Sequence, residues 1–263
     1  MKAGVLIISH GSRDTSWVAI VDEAVNGLSL REAVPVAVSF LELVEGRSIQ
    51  DGIDRLEGQG VTDILVIPLF VSSGSTHVDE IAYALGAKDE PEKETELERF
   101  RVSARIHYGN PVDDDPDIAI MVWDKIRDLS ENPARETILL VGHGSVHPGF
   151  RQRWERGMLS LAERVLRISG IAAADYALLS LGGVGDKVQY WREQGHEVLV
   201  APIFLSEGYF TKNVIPDKLK GLTYKYTGRT LLPHPLLPHW IAAQAETMLE
   251  RLRGEEPGMD DKV

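Results

Sequence analysis

An internal repeat is the feature that most constrains how this chain can fold. The segment VLIISHGS (residues 5–12) recurs as ILLVGHGS (138–145), and ILVIPLFVSSG (64–74) recurs as VLVAPIFLSEG (198–208). Each second copy lies about 133 residues after the first, so the order and spacing of the segments are the same in both halves. Repetition at a fixed spacing is the mark of a duplicated structural unit.

The repeat predicts two domains followed by a tail. We expect an N-terminal domain over residues 1–131, a C-terminal domain over 137–253 and a disordered tail over 254–263. The predicted linker is SENPARE (130–136), because Asn132-Pro133 interrupts a helix and both flanks are polar.

Short apolar runs rich in β-branched residues alternate with amphipathic stretches in both halves. This alternation is typical of βα units around a parallel sheet whose two faces are covered by helices. The predicted fold class is α/β, with two tandem doubly wound lobes that each contain a mainly parallel four-stranded sheet. We expect strands near residues 3–9, 36–43, 62–70 and 100–106 in the first half and 137–142, 175–181, 197–204 and 228–232 in the second.

Charge and cysteine content narrow the possible functions. A formal net charge of −12 without a basic stretch argues against nucleic-acid or anionic-membrane partners. Because the chain has no cysteine, any metal must be held by His, Asp, Glu or backbone oxygen. No segment approaches the roughly 20 apolar residues of a membrane span, and the N-terminus lacks the features of a signal peptide. We therefore expect a soluble, cytoplasmic protein.

Two histidines of the first half follow predicted strands. His10 ends the first strand and precedes Gly11, while His77 lies in the small-residue loop after the third strand. Ligands of open parallel sheets bind at the carboxyl ends of the strands, so we expect both imidazoles in one crevice. Two neutral imidazoles without a thiolate suit Fe²⁺, Co²⁺ or Ni²⁺ and would hold the ion loosely enough to pass it on.

Glu42 is the third predicted catalytic residue. Its carboxylate interrupts an apolar run at the carboxyl end of the second strand, where it could accept a proton or join the metal site; alternatively, it caps the following helix. Asp79 and Glu80 are interpreted as first-turn carboxylates that the helix dipole favours without any function.

Nucleotide and phosphate chemistry find little support in the sequence. A histidine phosphatase needs an arginine before its His-Gly pair, but Ser9 and Gly142 stand before His10 and His143. The glycines of 182–185 do not have dinucleotide-binding spacing, and no Walker sequence occurs, so we expect no nucleotide cofactor.

Taken together, these motifs resemble the class II chelatases of the CbiX and SirB type, in the long form with two lobes. The matching pieces are His-Gly-Ser-Arg (10–13), Phe-Leu-Glu (40–42) and Val-Ile-Pro-Leu-Phe (66–70) followed by His77, and the resemblance covers nearly the whole chain. It implies two lobes facing across a cleft, and ATP-independent insertion of Co²⁺ or Fe²⁺ into sirohydrochlorin during cobalamin or siroheme biosynthesis. It also implies that His10 and His77 bind the metal and assist deprotonation of the pyrroles.

The chain departs from the family pattern in two places. Family members commonly have His-x-x-x-Asp-Ile-Pro after the third strand, whereas this chain has the shorter His-Val-Asp-Glu-Ile-Ala over 77–82. In the second half His143 is kept, but Thr211 aligns with His77, and Ser180 or Leu181 with Glu42. We therefore predict one active site, in the first lobe, and a degenerate second lobe.

The substrate of such a chelatase carries several carboxylates, so hydrogen-bond donors are expected around the site. The residues predicted to bind it are Arg13, Ser72, Ser73 and Lys212, with Arg47, Arg151 and Arg153 as further candidates.

Alternative functions remain open from the sequence alone. They are a non-catalytic carrier of metal or tetrapyrrole and a chelatase for nickel or another tetrapyrrole. We expect the tetrapyrrole to be the partner of a monomer or weak homodimer, since two lobes in one chain can replace a dimer of single lobes.

Overall fold

Two separate parallel sheets form the framework of the protein, whose computed structural model describes residues 2–254. The first sheet has the strand order β2-β1-β3-β4 and the second the order β6-β5-β7, and every pairing is parallel. The strands are β1 (Ala3–Ser9), β2 (Val36–Phe40), β3 (Asp63–Pro68), β4 (Arg105–Tyr108), β5 (Glu136–Gly142), β6 (Ala173–Leu178) and β7 (Glu197–Pro202). The predicted α/β class is confirmed.

Helices connect the strands in the alternating order that the sequence predicts. They are α1 (Thr15–Asn26), α2 (Ile49–Gly58), α3 (Thr76–Ala84), α4 (Pro116–Ile126), α5 (Pro148–Ser169), α6 (Val184–Glu193), α7 (Ile215–Lys218) and α8 (Leu236–Gly254). A π-helical turn, Phe210–Val214, precedes α7. Local sequence sets several of the starts: Ser48 and Asp51 form a capping box at α2, and Asp115 caps α4 directly before a proline.

The central strands are buried along their whole length. Every residue of β3 and β5 is buried, as are six of the seven residues of β1. Apolar side chains therefore point to both faces of each sheet, which explains why these strands lack an alternating pattern in the sequence.

The prediction of a fourth strand in the second sheet, at 228–232, is wrong. The chain touches β7 earlier, where Lys225 forms an isolated parallel bridge with Leu199. Gly228, at a φ of 74°, then turns the backbone away, and Leu231 donates its N–H to the carbonyl of Phe204, beyond the end of β7. The left-handed residue thus prevents a continuous ladder.

β4 begins later than the predicted 100–106 because side chains of α2 bind the preceding backbone. Gln50 accepts from the N–H of Arg101, and Glu57 accepts from the N–H groups of Ser103 and Ala104. These donors are therefore not available to a strand ladder.

The described residues divide into two compact units that do not follow the linear halves. Unit 1 comprises the described parts of Met1–Leu69, Ile81–Gly109 and Leu237–Val263, and unit 2 comprises Phe70–Glu80 and Asn110–Leu236. Helix α8 thus belongs to the unit that contains the first sheet, and α4 to the unit that contains the second. The division at 131/137 stays a prediction about the duplicated sequence.

The last helix, α8, packs within unit 1. Arg31 forms ion pairs with Glu246 and Glu250 of this helix, and a β-carbon at Gly109, after β4, would lie 3.1 Å from the sulfur of Met248. Gly254 is the last residue of α8, and the remainder of the predicted disordered tail lies outside the described residues. Within residues 2–254, no helix is both long and apolar enough to span a membrane.

A buried carboxylate anchors the start of β3. Asp63 accepts a hydrogen bond from the hydroxyl of Thr62 (2.7 Å), lies 3.1 Å from Nε2 of His107 and pairs with Arg105 at 2.8 Å. Burial on its own would raise the pKa of Asp63, but these hydrogen bonds and the Arg105 charge outweigh it and lower the pKa. Ionised Asp63 therefore stabilises the fold.

Replacing Asp63 with Asn should reduce the free energy of unfolding by about 2 kcal/mol at pH 7, since a charged hydrogen-bond acceptor is lost. Because the folded pKa lies below the unfolded value, this contribution is present above about pH 4 and is lost as the pH falls through the folded pKa. Urea unfolding of both proteins at pH 7 and pH 3 measures the difference. Asp54→Asn, at an exposed pair with Arg101, is the control and should cost less than about 1 kcal/mol. An equal loss at both pH values would contradict the assignment.

Candidate active site

His10 faces a carboxylate at the carboxyl edge of the first sheet. Its Nδ1 lies 3.2 Å from the carbonyl oxygen of Gly11, and its Nε2 lies 3.6 Å from Oε1 of Glu42. An Nδ1–H that donates to this carbonyl leaves the lone pair on Nε2, on the side of the Glu42 carboxylate. The half-buried imidazole and the exposed carboxylate thus present one nitrogen and one oxygen donor to the same space. The structure places these two residues close together, after the hydrogen-bonded strands β1 and β2.

Backbone hydrogen bonds fix this pair. The N–H of Leu41 donates to the carbonyl of Ser9 at 2.9 Å, and the N–H of Glu42 donates to the carbonyl of His10 at 3.0 Å. The pairing of β1 with β2 therefore continues past the ends of both strands. Gly11 makes this possible: its φ is 99°, and a β-carbon there would lie 1.9 Å from the carbonyl oxygen of Glu42.

His77 lies in the first turn of α3, and a second carboxylate holds its ring. Its Nδ1 is 2.6 Å from Oε1 of Glu80, three residues later on the same helix, and its ring lies 6.3 Å from that of Phe70. A carboxylate that contacts one imidazole nitrogen orients the ring of a metal-binding histidine.

The contact between Glu80 and His77 is not predicted from the sequence. We interpret Glu80 from the sequence only as a carboxylate that the helix dipole favours in the first turn. The signal was the His-x-x-Glu spacing, because residues three apart on a helix are neighbours on its surface.

The loop before α3 is held by residues of unit 2. The N–H of Ser73 donates to Oδ1 of Asp113 at 2.8 Å, while Nε of Arg153 donates to the carbonyl of Ser73 at 3.0 Å. A β-carbon at Gly74 would lie 2.4 Å from the Trp154 ring, so only glycine fits here. Ser72 is buried, and its hydroxyl accepts from the N–H of Gly74. Both predicted serine ligands thus serve the loop itself, and their contact with substrate stays a prediction.

Asp113 combines burial with unusual backbone geometry. Its φ is 43°, and burial raises its pKa even though the N–H and hydroxyl of Ser73 oppose the shift. Asp113 thus combines a strained backbone with a perturbed carboxyl group, and it hydrogen-bonds to Ser73 in the loop before His77. We therefore interpret Asp113 as an anchor of that loop.

The predicted basic ligands differ in how they are engaged. Arg13 is exposed and forms no ion pair within residues 2–254, and exposed Lys212 pairs with Glu207 at 3.4 Å. By contrast, Arg47 makes a bidentate pair with Asp22, and Arg151 pairs with Glu155. Arg13 and Lys212 are the more accessible of these four.

The second half repeats the backbone and the histidine of the His10 site, but not its carboxylate or the second histidine. Nδ1 of His143 lies 2.9 Å from the carbonyl of Gly144, which has a φ of 78°, and the N–H of Ser180 donates to the carbonyl of His143 at 2.9 Å. Ser180 is therefore the counterpart of Glu42. Thr211, the counterpart of His77, is buried and hydrogen-bonded to Gly208. Across residues 2–254, no group of three or more His, Asp or Glu side chains is arranged to hold a metal ion.

Known proteins share both the fold and the sequence pattern. SirB from Bacillus subtilis, solved with Fe³⁺, superimposes with a TM-score of 0.74 at 22% identity over 97% of this chain and 98% of that one. Sirohydrochlorin ferrochelatase from B. subtilis is 27% identical over 65% of this chain and 62% of its own length, so the chain matches less than two thirds of that relative. Sirohydrochlorin cobaltochelatase from Methanothermobacter thermautotrophicus is 33% identical over 48% of this chain and 92% of its own length.

The duplicated α/β architecture is thus the fold that SirB also has. The CbiX family model matches twice, over residues 4–129 and 137–248, and the chain therefore belongs to the CbiX family.

Replacing Gly11 with Ala should separate His10 from Glu42 and reduce any activity of this site by at least about tenfold, since the added methyl group cannot fit beside the Glu42 carbonyl. The matched control is Gly46→Ala, which has a φ of 70° but no atom within 4 Å of the new β-carbon. It should cost about 1 kcal/mol of stability and leave activity intact. Metal-insertion rates and urea unfolding of both variants test this expectation, and equal activities would contradict it.

Proposed function

We propose that this protein inserts Co²⁺ or Fe²⁺ into sirohydrochlorin without ATP, as a sirohydrochlorin chelatase of cobalamin or siroheme biosynthesis. The observation that carries the proposal is the approach of the His10 imidazole to the Glu42 carboxylate at the strand ends. Membership of the CbiX family and the names of the two relatives, a ferrochelatase and a cobaltochelatase, support the same reaction.

The metal is a substrate that the protein has to hold and then release. His10 supplies an imidazole nitrogen and Glu42 a carboxylate oxygen, a donor set that accepts Fe²⁺ and Co²⁺. Because both side chains are accessible to solvent, water can complete the metal's coordination and leave during transfer. A site with few protein ligands favours delivery of the ion over storage.

His77 is proposed as the second imidazole that handles the ion. It follows β3, which is hydrogen-bonded to β1 with Ile8 opposite Pro68, so both histidines come after neighbouring strands. Glu80 keeps the His77 ring oriented through Nδ1. We expect this carboxylate, which contacts the histidine rather than the metal, to raise the affinity of His77 for the metal.

The reaction also has to remove two protons. As the divalent ion forms bonds with the four ring nitrogens, two pyrrole N–H bonds break and two protons leave, so the charges balance. The Glu42 carboxylate and a neutral imidazole are both suitable acceptors, and each can pass the proton to water. We assign proton acceptance to Glu42 and the histidines jointly.

The substrate's carboxylates require cationic and N–H donors. We propose Arg13, three residues after His10, and Lys212 in the second half as charged contacts, and Ser72 and Ser73 as loop contacts. The protein is proposed to act in the cytoplasm, as a monomer or weak homodimer.

Replacing His10 or His77 with Ala should abolish metal insertion above the spontaneous rate while the fold remains intact, since each change removes one proposed metal donor. An anaerobic assay of sirohydrochlorin with Fe²⁺, Co²⁺ and Ni²⁺ in parallel, followed by absorbance, measures the rates and ranks the metals. His147→Ala is the matched control, because this exposed imidazole makes no side-chain cap bond to α5. If wild type bound metal and sirohydrochlorin without accelerating insertion, the protein would be a carrier.

Replacing Glu80 with Gln should weaken Co²⁺ binding about 10- to 100-fold, because the carboxylate that orients His77 is lost while side-chain size is kept. Titration of Co²⁺ followed by its visible absorbance gives the dissociation constant. A Glu80→Gln change made in the His77→Ala background should have no further effect. An additional loss in that background would mean that Glu80 does not act through His77.

A further inference from the structure

The carboxyl edge of the second sheet exposes apolar side chains from every strand-end loop. Val146 follows β5, Leu181 follows β6, and Tyr209 and Phe210 follow β7, with exposures of 65%, 39%, 70% and 37%. They account for four of the nine large hydrophobic residues exposed within residues 2–254. Concentration of exposed apolar residues at the ligand-binding edge of a parallel sheet marks a binding surface.

At this edge the ring of Phe210 contacts three other rings. We call the four residues the aromatic platform: His143, Phe204, Tyr209 and Phe210. The His143 and Phe210 rings meet edge to face with centroids 4.9 Å apart, and Phe204 stacks on Phe210 at 5.8 Å with an interplanar angle of 18°. Tyr209 lies 6.0 Å from Phe210. Half-buried Phe204 packs against the core beneath β7, so the exposed rings rest on a fixed base.

The backbone beneath the platform is rigid. Phe210 begins a π-helical turn, a conformation that is rare and frequent at functional sites. Thr211 is tied to Gly208 through its hydroxyl, and the hydroxyl of Tyr226 donates to the Thr211 carbonyl at 2.7 Å. Burial raises the pKa of Tyr226 to about 12, so this donor stays protonated at physiological pH. Little conformational entropy would be lost when a ligand settles on these rings.

The platform occupies the place that the His10 site holds in the first half, but with different chemistry. Ser180 stands where the first half has Glu42, buried Thr211 stands where it has His77, and the rings of exposed His143 and Phe210 meet edge to face. Of the three proposed donors only the histidine is kept, as His143, and exposed aromatic rings now lie beside it. We propose that this surface binds one face of a planar, conjugated tetrapyrrole, an inference that rests on the proposed chelatase function.

The chemistry of the surface matches that class of ligand. Aromatic rings stack on flat conjugated systems at centroid distances of about 4.5–7 Å. A macrocycle with carboxylates on its periphery also needs a cation at the rim of the surface, and exposed Lys212 directly follows Phe210-Thr211. This surface suits a metal ion less well, because Ser180 stands where the first half has the carboxylate of Glu42.

Binding of metal-free uroporphyrin I, a planar octacarboxylate tetrapyrrole, tests the proposal through fluorescence anisotropy of the porphyrin. Tyr209→Ala and Phe210→Ala should each raise the dissociation constant about tenfold. Tyr190→Ala, which removes a similarly exposed ring from α6 away from this edge, should leave it within about twofold. Because Tyr209 is mostly exposed, its variant tests the surface even if the Phe210 variant unfolds.

The remaining outcomes separate this inference from the proposed function. Wild-type binding that neither Tyr209→Ala nor Phe210→Ala weakens would overturn the platform while leaving metal insertion through His10 intact. Ring-dependent binding in a protein that inserts no metal would uphold the platform and refute the chelatase. If sedimentation showed a dimer that these changes dissociate, with unchanged porphyrin affinity, the surface would be a contact between two copies and the inference would fail.

Discussion

The close passage of two backbones at the end of the first sheet determines what this protein can do. The hydrogen bonding of β1 and β2 continues one residue beyond the end of β1 and two beyond the end of β2, where the carbonyl of His10 accepts from the N–H of Glu42. This contact is possible only because Gly11 has no side chain and a positive φ. Donors that are far apart in the sequence are thereby fixed by main-chain geometry, and their side chains remain accessible. An imidazole and a carboxylate held in this way lose little entropy when they bind an ion.

The second half repeats this hydrogen-bonded turn, but with different side chains. Gly144 repeats the left-handed turn of Gly11, and Ser180 repeats the hydrogen bond of Glu42. Main-chain contacts of this kind do not depend on which side chain follows, so the second copy could exchange its donors without losing the fold. The exposed apolar residues at this edge add to a core around β7 that buried side chains already form. The two copies of the edge thus present different side chains, an imidazole with a carboxylate in the first and exposed apolar residues in the second.

Much of the fold and part of the site could be predicted from the sequence. The repeat and the apolar strands predict the parallel sheets, and the Gly after each histidine predicts the turn at the strand end. Three features could not be found in this way. The positive φ of Gly228 ends the expected strand. The contact of Glu80 with His77 could not be told from the usual preference for carboxylates in a helix's first turn. The assignment of α4 and α8 to their units depends on tertiary packing. Local propensity carries no information about which sheet a helix will cover.

The place of α8 has a consequence for biosynthesis of the chain. The unit that contains His10 also contains helix α8, so its core is incomplete until the ribosome has made residues 236–254. Contacts such as that between Arg31 and Glu250 close loops of more than two hundred residues, which slows folding. The residues around His10 must therefore stay partly unfolded until α8 has been synthesised, so the imidazole–carboxylate pair lies in a unit that is completed more than two hundred residues after its first strand.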